Sequence, residues 1–467
     1  MSLNFILLSN AFVHFFAYVV SSGREGSSTE DLVQWVRQQG GRVLPAVHLQ
    51  RQNARGDLGL VATEAVQSGE SLIALPPHIP LSLPIDEPAL AALAQRVPEK
   101  LWAMKLGLKL LAERAKKHSF WWPYIHKLPE RFRMPVFFSG DEIQQLQYPP
   151  IIHQVKKRCE FLLQFAAEDI PNIIRDRGND KHPFGGQQVD ASALGWAMAA
   201  VSSRAFCVKQ SGESGCPSLL PLVDMCNHSF TPTARLVQHH TSSAQLLPFL
   251  EVVAQQDLER GDALVLDYGP LSNDILLLDY GFVIPNNPHD RVELRFELQL
   301  LEAACFAAGL HAPSSFTEPA PWQHALLVQL KLQGPDASQM VTLGGKDQMD
   351  CRLLAAVRLL YAEDGSKIRS IGVEMLQSWD APTALLGLAN ECKVLRTLVG
   401  LCMLATAPFP TSISEDQDLL NQDEISENIR LATEFRTNKK QLLINTISSL
   451  QLRLQSLTMQ ELVSAPR

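Results

Sequence analysis

A change in hydrophobic periodicity along the chain is the feature that most restricts its fold. Between residues 42 and 82, short apolar runs such as "LGLVATE" and "SLIALP" alternate with the turn-forming stretches "ARGD" and "QSGE", as in strands joined by tight turns. Helix-period patterns follow from about 88 to 200, and β-type runs return in "FLEVVA" and "DALVLDY". From about 291 onward, apolar residues recur with helical spacing. We therefore predict a mixed α+β protein in which a helical insert interrupts a β-rich part and an all-α part follows.

The chain is long enough for more than one domain. Its 467 residues are 46% hydrophobic and 19% charged, which is typical of a globular protein with a sizeable core. We predict three segments: residues 1–27, residues 28–290 with the insert at about 88–200, and residues 291–467. The first is a targeting or disordered segment. It is apolar but contains scattered polar residues and lacks a leading basic residue, so it fits neither a secretory signal nor a membrane span well.

Charge and cysteine content exclude several classes of protein. The 41 basic and 49 acidic residues give a formal charge of −8, and the basic clusters are small, so we expect no nucleic-acid partner. No clear membrane association is expected either. The eight cysteines are dispersed without a C-x-x-C pair, which indicates free thiols in a reducing compartment.

The stretch "PLVDMCNHS" at 221–229 concentrates polar side chains behind an apolar run. Cys226 follows Cys216 by ten residues and Cys207 by nineteen, which is not a zinc-binding spacing, so we expect no metal site. A G-x-S-x-G nucleophile elbow is absent from the sequence, which argues against a serine hydrolase. Binding of a polar ligand remains as the interpretation of this stretch.

A second stretch, "LDYGPLSNDILLLDYGF", supports ligand binding. It places Tyr268 and Tyr280 twelve residues apart, each followed by glycine, in a chain with six tyrosines. Either tyrosine alone could be a buried packing residue whose hydroxyl finds a partner. Together they favour a shared pocket.

Four stretches, in this order, resemble a SET domain: "RGDLGLVATEAVQSGESLIALP", "SSRAF", "PLVDMCNHS" and "DYGPLSNDILLLDYGFV". The arrangement is similar to the branch that contains the Rubisco large subunit methyltransferase, over about residues 28–460. The resemblance implies a SET domain with a pseudoknot and a helical insert, followed by a helical substrate-binding domain. It also implies S-adenosylmethionine as the cofactor.

The resemblance also implies a set of cofactor-binding residues. The backbone of Gly56, Asp57 and Leu58 would hold the methionine end of the cofactor. Asn227 and His228 would bind the cofactor through the amide side chain and the backbone.

The remaining family positions would face the reaction. Arg204 would line the cleft between cofactor and substrate, and Asp224 would face the substrate. Tyr268 would lie at the point of methyl transfer and Tyr280 would complete the pocket, so that both count as catalytic and both contact the cofactor.

Methyl transfer from a sulfonium to an amine needs neither a metal nor a covalent intermediate. The protein must align the reacting atoms, and a lysine with a pKa of about 10.4 must lose its proton before attack. Aromatic walls disfavour the charged ammonium, and tyrosine hydroxyls can orient the neutral amine. The resemblance thus implies a protein-lysine N-methyltransferase. Since the cysteine-rich segments that flank many histone-directed SET domains are absent, we expect a folded, non-histone protein as the substrate.

Two departures from the family pattern leave alternatives open. No tyrosine lies between Tyr148 and Tyr268, and His239 and His240 occupy the strand where relatives often have one. The usual small-x-Gly turn reads Asp57-Leu58-Gly59. Two alternatives therefore remain: a protein-histidine methyltransferase, and a weakly active SET-fold module that binds protein. We expect a monomer, and the compartment could be the chloroplast or the cytoplasm and nucleus.

Overall fold

The structure, a computed structural model, describes residues 30–52, 58–177, 182–209, 215–239, 249–379 and 387–464. The predicted segment 1–27 lies outside these residues. Contacts divide the chain into two compact units. The first unit comprises residues 1–140, 155–270 and 278–281, and the second comprises 141–154, 271–277 and 282–467. The two units therefore alternate along the sequence.

Three small sheets form the β-part of the first unit. Its described strands are β1 (Arg42–Val43), β2 (Val47–Arg51), β3 (Leu58–Ala62), β4 (Ser71–Leu75), β5 (Leu81–Ser82), β6 (Ala205–Val208), β7 (Cys216–Leu219), β8 (Asn227–His228), β9 (Ala234–His239), β10 (Phe249–Ala254) and β11 (Ala263–Leu266). The strand orders are β1-β4-β10-β9, β2-β3-β11-β8 and β5-β7-β6. Strands this short gain their stability from the shared core, because isolated two-stranded pairs are marginal in water.

One strand pair among those described departs from the antiparallel pattern. Strand β8 pairs with β11 in parallel, with Asn227 opposite Val265 and His228 opposite Leu266. Parallel neighbours need a long connection, and here the intervening chain contributes β9 and β10 to another sheet. This pairing brings the "NHS" stretch beside the strand that leads into Tyr268.

Helices fill the sequence between β5 and β6 and precede β1. They are α1 (Glu30–Gln38), α2 (Pro88–Gln95), α3 (Trp102–Ala115), α4 (Trp122–Ile125), α5 (Gly140–Gln144), α6 (Pro149–Gln164), a π-helical turn (Phe165–Asp169), α7 (Ile170–Arg177) and α8 (Ala191–Ser202). Helix α3 packs on α8, and a Cβ added at Gly107 would lie 3.2 Å from the carbonyl carbon of Ala197. The small residue therefore permits the close approach of these two buried helices.

The second unit is mainly helical. Its elements include α9 (Asn273–Ile275), α10 (Leu298–Ala307), α11 (Pro321–Gln329), α12 (Cys351–Tyr361), α13 (Gly365–Ile371), α14 (Val373–Gln377), α15 (Leu388–Thr406), α16 (Ile413–Leu420) and α17 (Glu427–Ser464). Helix α15 packs against both α10 and α17. An antiparallel ribbon of β12 (Val292–Arg295) and β13 (Met340–Leu343) also lies in this unit. The mixed fold class predicted from the sequence is confirmed, and the ribbon is an addition that the periodicity did not reveal.

Buried charges connect α17 to neighbouring segments of the second unit. Lys439 is fully buried, and its Nζ lies 2.8 Å from Asp274 and 2.7 Å from Asp290. Arg436 lies 2.9 Å from the fully buried Asp416, which also accepts from Lys440. Buried ions persist only when they are paired and hydrogen-bonded, so these contacts fix the helix in one position. Within the described ranges, no helix is both long and apolar enough to span a membrane.

Candidate active site

Two aromatic rings meet where β8 and β11 run side by side. The Tyr268 and His228 rings lie 5.1 Å apart between centroids, tilted by 31°. The backbone N–H of Tyr268 donates to His228 Nδ1 at 3.2 Å. The structure thus brings together a residue of the "NHS" stretch and the first tyrosine of the second motif, which are 40 residues apart in sequence.

The second tyrosine completes an aromatic cluster. Tyr280 stacks on Tyr268 with centroids 5.4 Å apart and planes 28° apart, and Phe206 meets Tyr268 edge-on at 6.4 Å. A positive φ of 76° at Gly281 explains the glycine after Tyr280, since a Cβ there would also lie 3.2 Å from the Arg133 backbone. We call Phe206, His228, Tyr268 and Tyr280 the aromatic cluster.

The Tyr268 hydroxyl donates to the backbone carbonyl of Cys226 at 2.6 Å. Burial raises the pKa of Tyr268 above its ordinary value, and burial raises that of Tyr280 to about 12. Both hydroxyls therefore stay protonated at neutral pH. Because its proton is directed to a carbonyl, the Tyr268 oxygen presents its lone pairs to any other neighbour, and it can accept a hydrogen bond from an N–H group.

Asp224, which the family resemblance places on the substrate side, is only 5% exposed. One oxygen of its carboxylate accepts from the Tyr124 hydroxyl, and the other has no hydrogen-bond partner among the described residues. Desolvation raises the pKa of Asp224 to about 6. The physical reason is local: Asp224 lies in a single helical turn, Val223–Met225, that follows the fully buried Leu222. The turn directs the carboxylate into the core.

Arg204 lies against the same turn. Its guanidinium donates to the Asp224 backbone carbonyl at 2.9 Å, and its side chain is half-buried. The Nε atom of Arg204 is buried and meets no acceptor within the described part of the chain. Arg204 and Tyr268 therefore contact consecutive parts of one segment, the carbonyls of Asp224 and Cys226.

The proposed cofactor-binding residues are placed only in part. Asn227 is exposed and His228 is half-buried, so both can be reached from solvent. Leu58 is partly exposed at the start of β3, whereas Gly56 and Asp57 lie outside the described residues. The aromatic residues of the site suit S-adenosylmethionine for one physical reason. Aromatic faces attract a cation such as a sulfonium and stack on a purine ring, and the aromatic cluster provides such faces.

The sequence analysis missed three parts of this site. The Cys226 carbonyl could not be predicted, because a backbone acceptor has no signature in the sequence. Phe206 is the last residue of the quoted "SSRAF" stretch but was given no role. Tyr124 lies in none of the quoted stretches; it is fully buried, and its hydroxyl donates to the Asp224 carboxylate.

His239 and His240 occupy the strand where relatives often have a tyrosine, and the structure describes only His239. Its Nε2 lies 2.6 Å from the Glu251 carboxylate on the neighbouring strand β10, while His240 lies outside the described residues. No group of three His, Cys, Asp or Glu side chains suited to a metal ion occurs among the residues with described positions.

Two family models match separate parts of the chain. The SET domain model matches residues 57–269, and the Rubisco LSMT substrate-binding model matches residues 314–443. The SET match includes "SSRAF" and "PLVDMCNHS" in full, all but the first two residues of "RGDLGLVATEAVQSGESLIALP", and the first three residues of the fourth stretch.

Relatives and solved structures cover most of the chain. Actin-histidine N-methyltransferases of Homo sapiens and Papio anubis are each 25% identical over 453 residues, covering 92% of this chain and 70% and 69% of the relatives. The SET domain of LSMT bound to lysine and AdoHcy aligns with a TM-score of 0.62 at 18% identity, over 92% of both chains.

A second solved structure has the same fold. Rubisco LSMT bound to AdoMet (S-adenosylmethionine) aligns with a TM-score of 0.60 at 18% identity, over 95% of this chain and 98% of the other. The fold, the two domain matches and the relatives all agree. The chain therefore carries a SET domain followed by a Rubisco LSMT substrate-binding domain, and it is similar to SET-domain methyltransferases along most of its length.

Proposed function

We propose that the chain is an S-adenosylmethionine-dependent protein N-methyltransferase whose acceptor is a lysine side chain of a folded, non-histone protein. The observation that carries this proposal is the hydrogen bond from the Tyr268 hydroxyl to the Cys226 carbonyl inside the aromatic cluster. It fixes an acceptor oxygen beside aromatic faces, which is the environment that an N–H nucleophile needs.

The residues at β8 and β3 would hold the cofactor. Asn227 offers an amide donor and acceptor on an accessible strand, and the Leu58 backbone lies at the accessible start of β3. Gly56 and Asp57 complete this set by the family resemblance. When bound, S-adenosylmethionine supplies an electrophilic methyl group on a sulfonium.

The aromatic cluster would prepare the acceptor nitrogen. Removal from water disfavours an ammonium, so a lysine beside Tyr268 and Tyr280 loses its proton to solvent more readily. The lone pairs of the Tyr268 oxygen then accept an N–H of the amine and orient its own lone pair. Since an in-line displacement depends on alignment at about 3 to 3.5 Å, orientation supplies much of the rate.

Histidine is the second candidate acceptor, and the relatives favour it. The actin-histidine N-methyltransferase of Homo sapiens matches 92% of this chain. An imidazole has an ordinary pKa of about 6.5 and is mostly neutral at pH 7, so it requires orientation but little proton loss. The same Tyr268 oxygen can accept from one ring N–H while the other nitrogen attacks.

The test is transfer of a labelled methyl group. The full chain is incubated with S-adenosylmethionine labelled in the methyl group and with a protein extract, and the labelled proteins are hydrolysed and analysed for methylated amino acids. Label in methyl-lysine supports the first proposal, and label in methyl-histidine supports the second.

Binding of S-adenosylmethionine without methyl transfer to any protein would contradict both the lysine and the histidine proposals. If calorimetry detects S-adenosylmethionine binding but wild-type protein labels no acceptor, the chain is a protein-binding module with a SET fold. If no cofactor binds, the assigned cofactor site is wrong. A Tyr268→Phe sample in the same extract controls for methylation by contaminating enzymes.

A further inference from the structure

A cleft of about 350 Å³ lies in the second unit, between α17 and two loops. Six of its thirteen lining residues carry carboxamide side chains. They come from both loops and from the helix, and they are Asn286, Asn287, Gln348, Asn438, Gln441 and Asn445. We call this the carboxamide cleft. Carboxamides carry no charge and both donate and accept hydrogen bonds, so the lining matches a neutral partner with alternating donors and acceptors.

The helix side of the cleft is a stripe along one face of α17. Asn438, Gln441, Asn445 and Ser449 follow one another at spacings of three, four and four residues. At about 1.5 Å per residue, the stripe extends about 16 Å. An extended chain covers that length with about five residues at roughly 3.3 Å each.

Two carboxamides of the stripe have side-chain atoms that can still form hydrogen bonds with a ligand. Gln441 Nε2 donates to Asn445 Oδ1 at 2.9 Å, which leaves the Gln441 oxygen and the Asn445 nitrogen for a ligand. Across the cleft, the side-chain oxygen of Gln348 is buried and accepts no hydrogen bond from the residues that the structure describes. A buried oxygen in this state favours a donor entering the cleft.

Local charge argues against an ionic ligand. Asp290, at the base of the cleft, is paired with the buried Lys439 at 2.7 Å. The one other charged residue of the lining is Lys346, which is exposed. A single exposed cation does not make a strong anion site, whereas several neutral amides together make a good site for peptide groups.

We propose that the carboxamide cleft binds an extended main-chain segment of the acceptor protein. This inference rests on the proposed function, since it requires a protein acceptor. The main-chain N–H and C=O groups of the segment pair with Gln441 and Asn445 of α17 and with Gln348. The cleft thereby raises affinity for the folded substrate without taking part in methyl transfer.

The experiment compares one double variant with a matched single-residue control. Gln441→Ala combined with Asn445→Ala removes carboxamides of the cleft, and Gln451→Ala removes an exposed carboxamide of the same helix outside the cleft. Initial rates are measured against increasing amounts of the extract protein that wild type labels. We expect the apparent KM of the double variant to rise about tenfold or more, as for the loss of two net hydrogen bonds.

The other readouts separate binding from chemistry and from folding. The kcat at saturating acceptor, the S-adenosylmethionine affinity and the melting temperature should match those of Gln451→Ala. An unchanged KM overturns the inference while leaving the proposed function intact, and a wild-type chain that labels no protein overturns both. If the double variant unfolds, Asn445→Trp serves instead, because this exposed position fills the cleft from its rim, and an unchanged KM there again overturns the inference.

Discussion

Replacing Tyr268 by phenylalanine separates a role in methyl transfer from a role in packing. The change keeps the ring that stacks on Tyr280 and His228 and removes only the hydroxyl that donates to Cys226 at 2.6 Å. Loss of one such bond should lower the free energy of unfolding by about 1 kcal/mol. The buried apolar area hardly changes, so the melting temperature should move by a few degrees at most.

The effect on methyl transfer should be larger. If the Tyr268 oxygen orients the attacking nitrogen, its removal acts mainly in the transition state, and we expect kcat to fall about 100-fold. That change corresponds to about 2.7 kcal/mol of activation free energy. Because burial keeps the pKa of Tyr268 high, wild-type activity should show no loss through ionisation of this hydroxyl between about pH 7 and 9.

Single-turnover kinetics with labelled S-adenosylmethionine and the acceptor protein would measure the step directly. Tyr361→Phe is a matched control, since the Tyr361 hydroxyl lies 2.8 Å from Thr397 in the second unit, outside the residues matched by the SET domain model. The control should lose comparable stability and keep its rate. An effect confined to KM would make Tyr268 a binding residue, and no effect would place the chemistry elsewhere.

Three further changes test other parts of the structure. Asn227→Ala should weaken S-adenosylmethionine binding by calorimetry, by about 1 to 3 kcal/mol, without altering the fold, and an unchanged affinity would remove Asn227 from the cofactor site. Burial raises the pKa of Asp224 from 3.8 to about 6, so its contribution to stability is greatest below pH 4 and declines as the pH rises to 6. Urea unfolding should therefore show that wild type loses about 2 kcal/mol relative to Asp224→Asn between pH 4 and pH 7, whereas parallel pH profiles would refute the shift. Lys439→Met should lower the free energy of unfolding by about 3 to 5 kcal/mol, because it leaves Asp290 buried without its cation, while exposed Lys393→Met should change it little.

The sequence predicted the elements of this protein better than the contacts between them. Apolar runs such as "SLIAL" became the strand Ser71–Leu75, and the long helical pattern at the end of the chain became Glu427–Ser464. These succeeded because periodicity reports directly which face of an element is buried. The ribbon of Val292–Arg295 and Met340–Leu343 was not predicted, since each strand has only four residues and the partners lie far apart in sequence.

In the candidate site, too, the sequence predicted which residues are involved better than it predicted their contacts. Tyr268 and Tyr280 were expected to share a pocket, and the structure stacks their rings. The contact between Asp224 and Tyr124 was not predicted, because a motif gives the order of residues but not the direction of each side chain. The helical turn at Val223–Met225 buries the Asp224 carboxylate against Tyr124.

Two adjacent lysines determine more than the stability of the long helix. Successive residues on an α-helix point about 100° apart. Lys439 engages Asp274 and Asp290, while Lys440 engages Asp416, so acidic partners hold the helix from two directions. A slip of the helix along its axis, or a rotation about it, would break at least one of these buried pairs. Helix α17 therefore cannot shift along its axis by small steps while keeping all of these ion pairs. An insertion or deletion upstream of Lys439 within this helix would displace every carboxamide of its stripe at once.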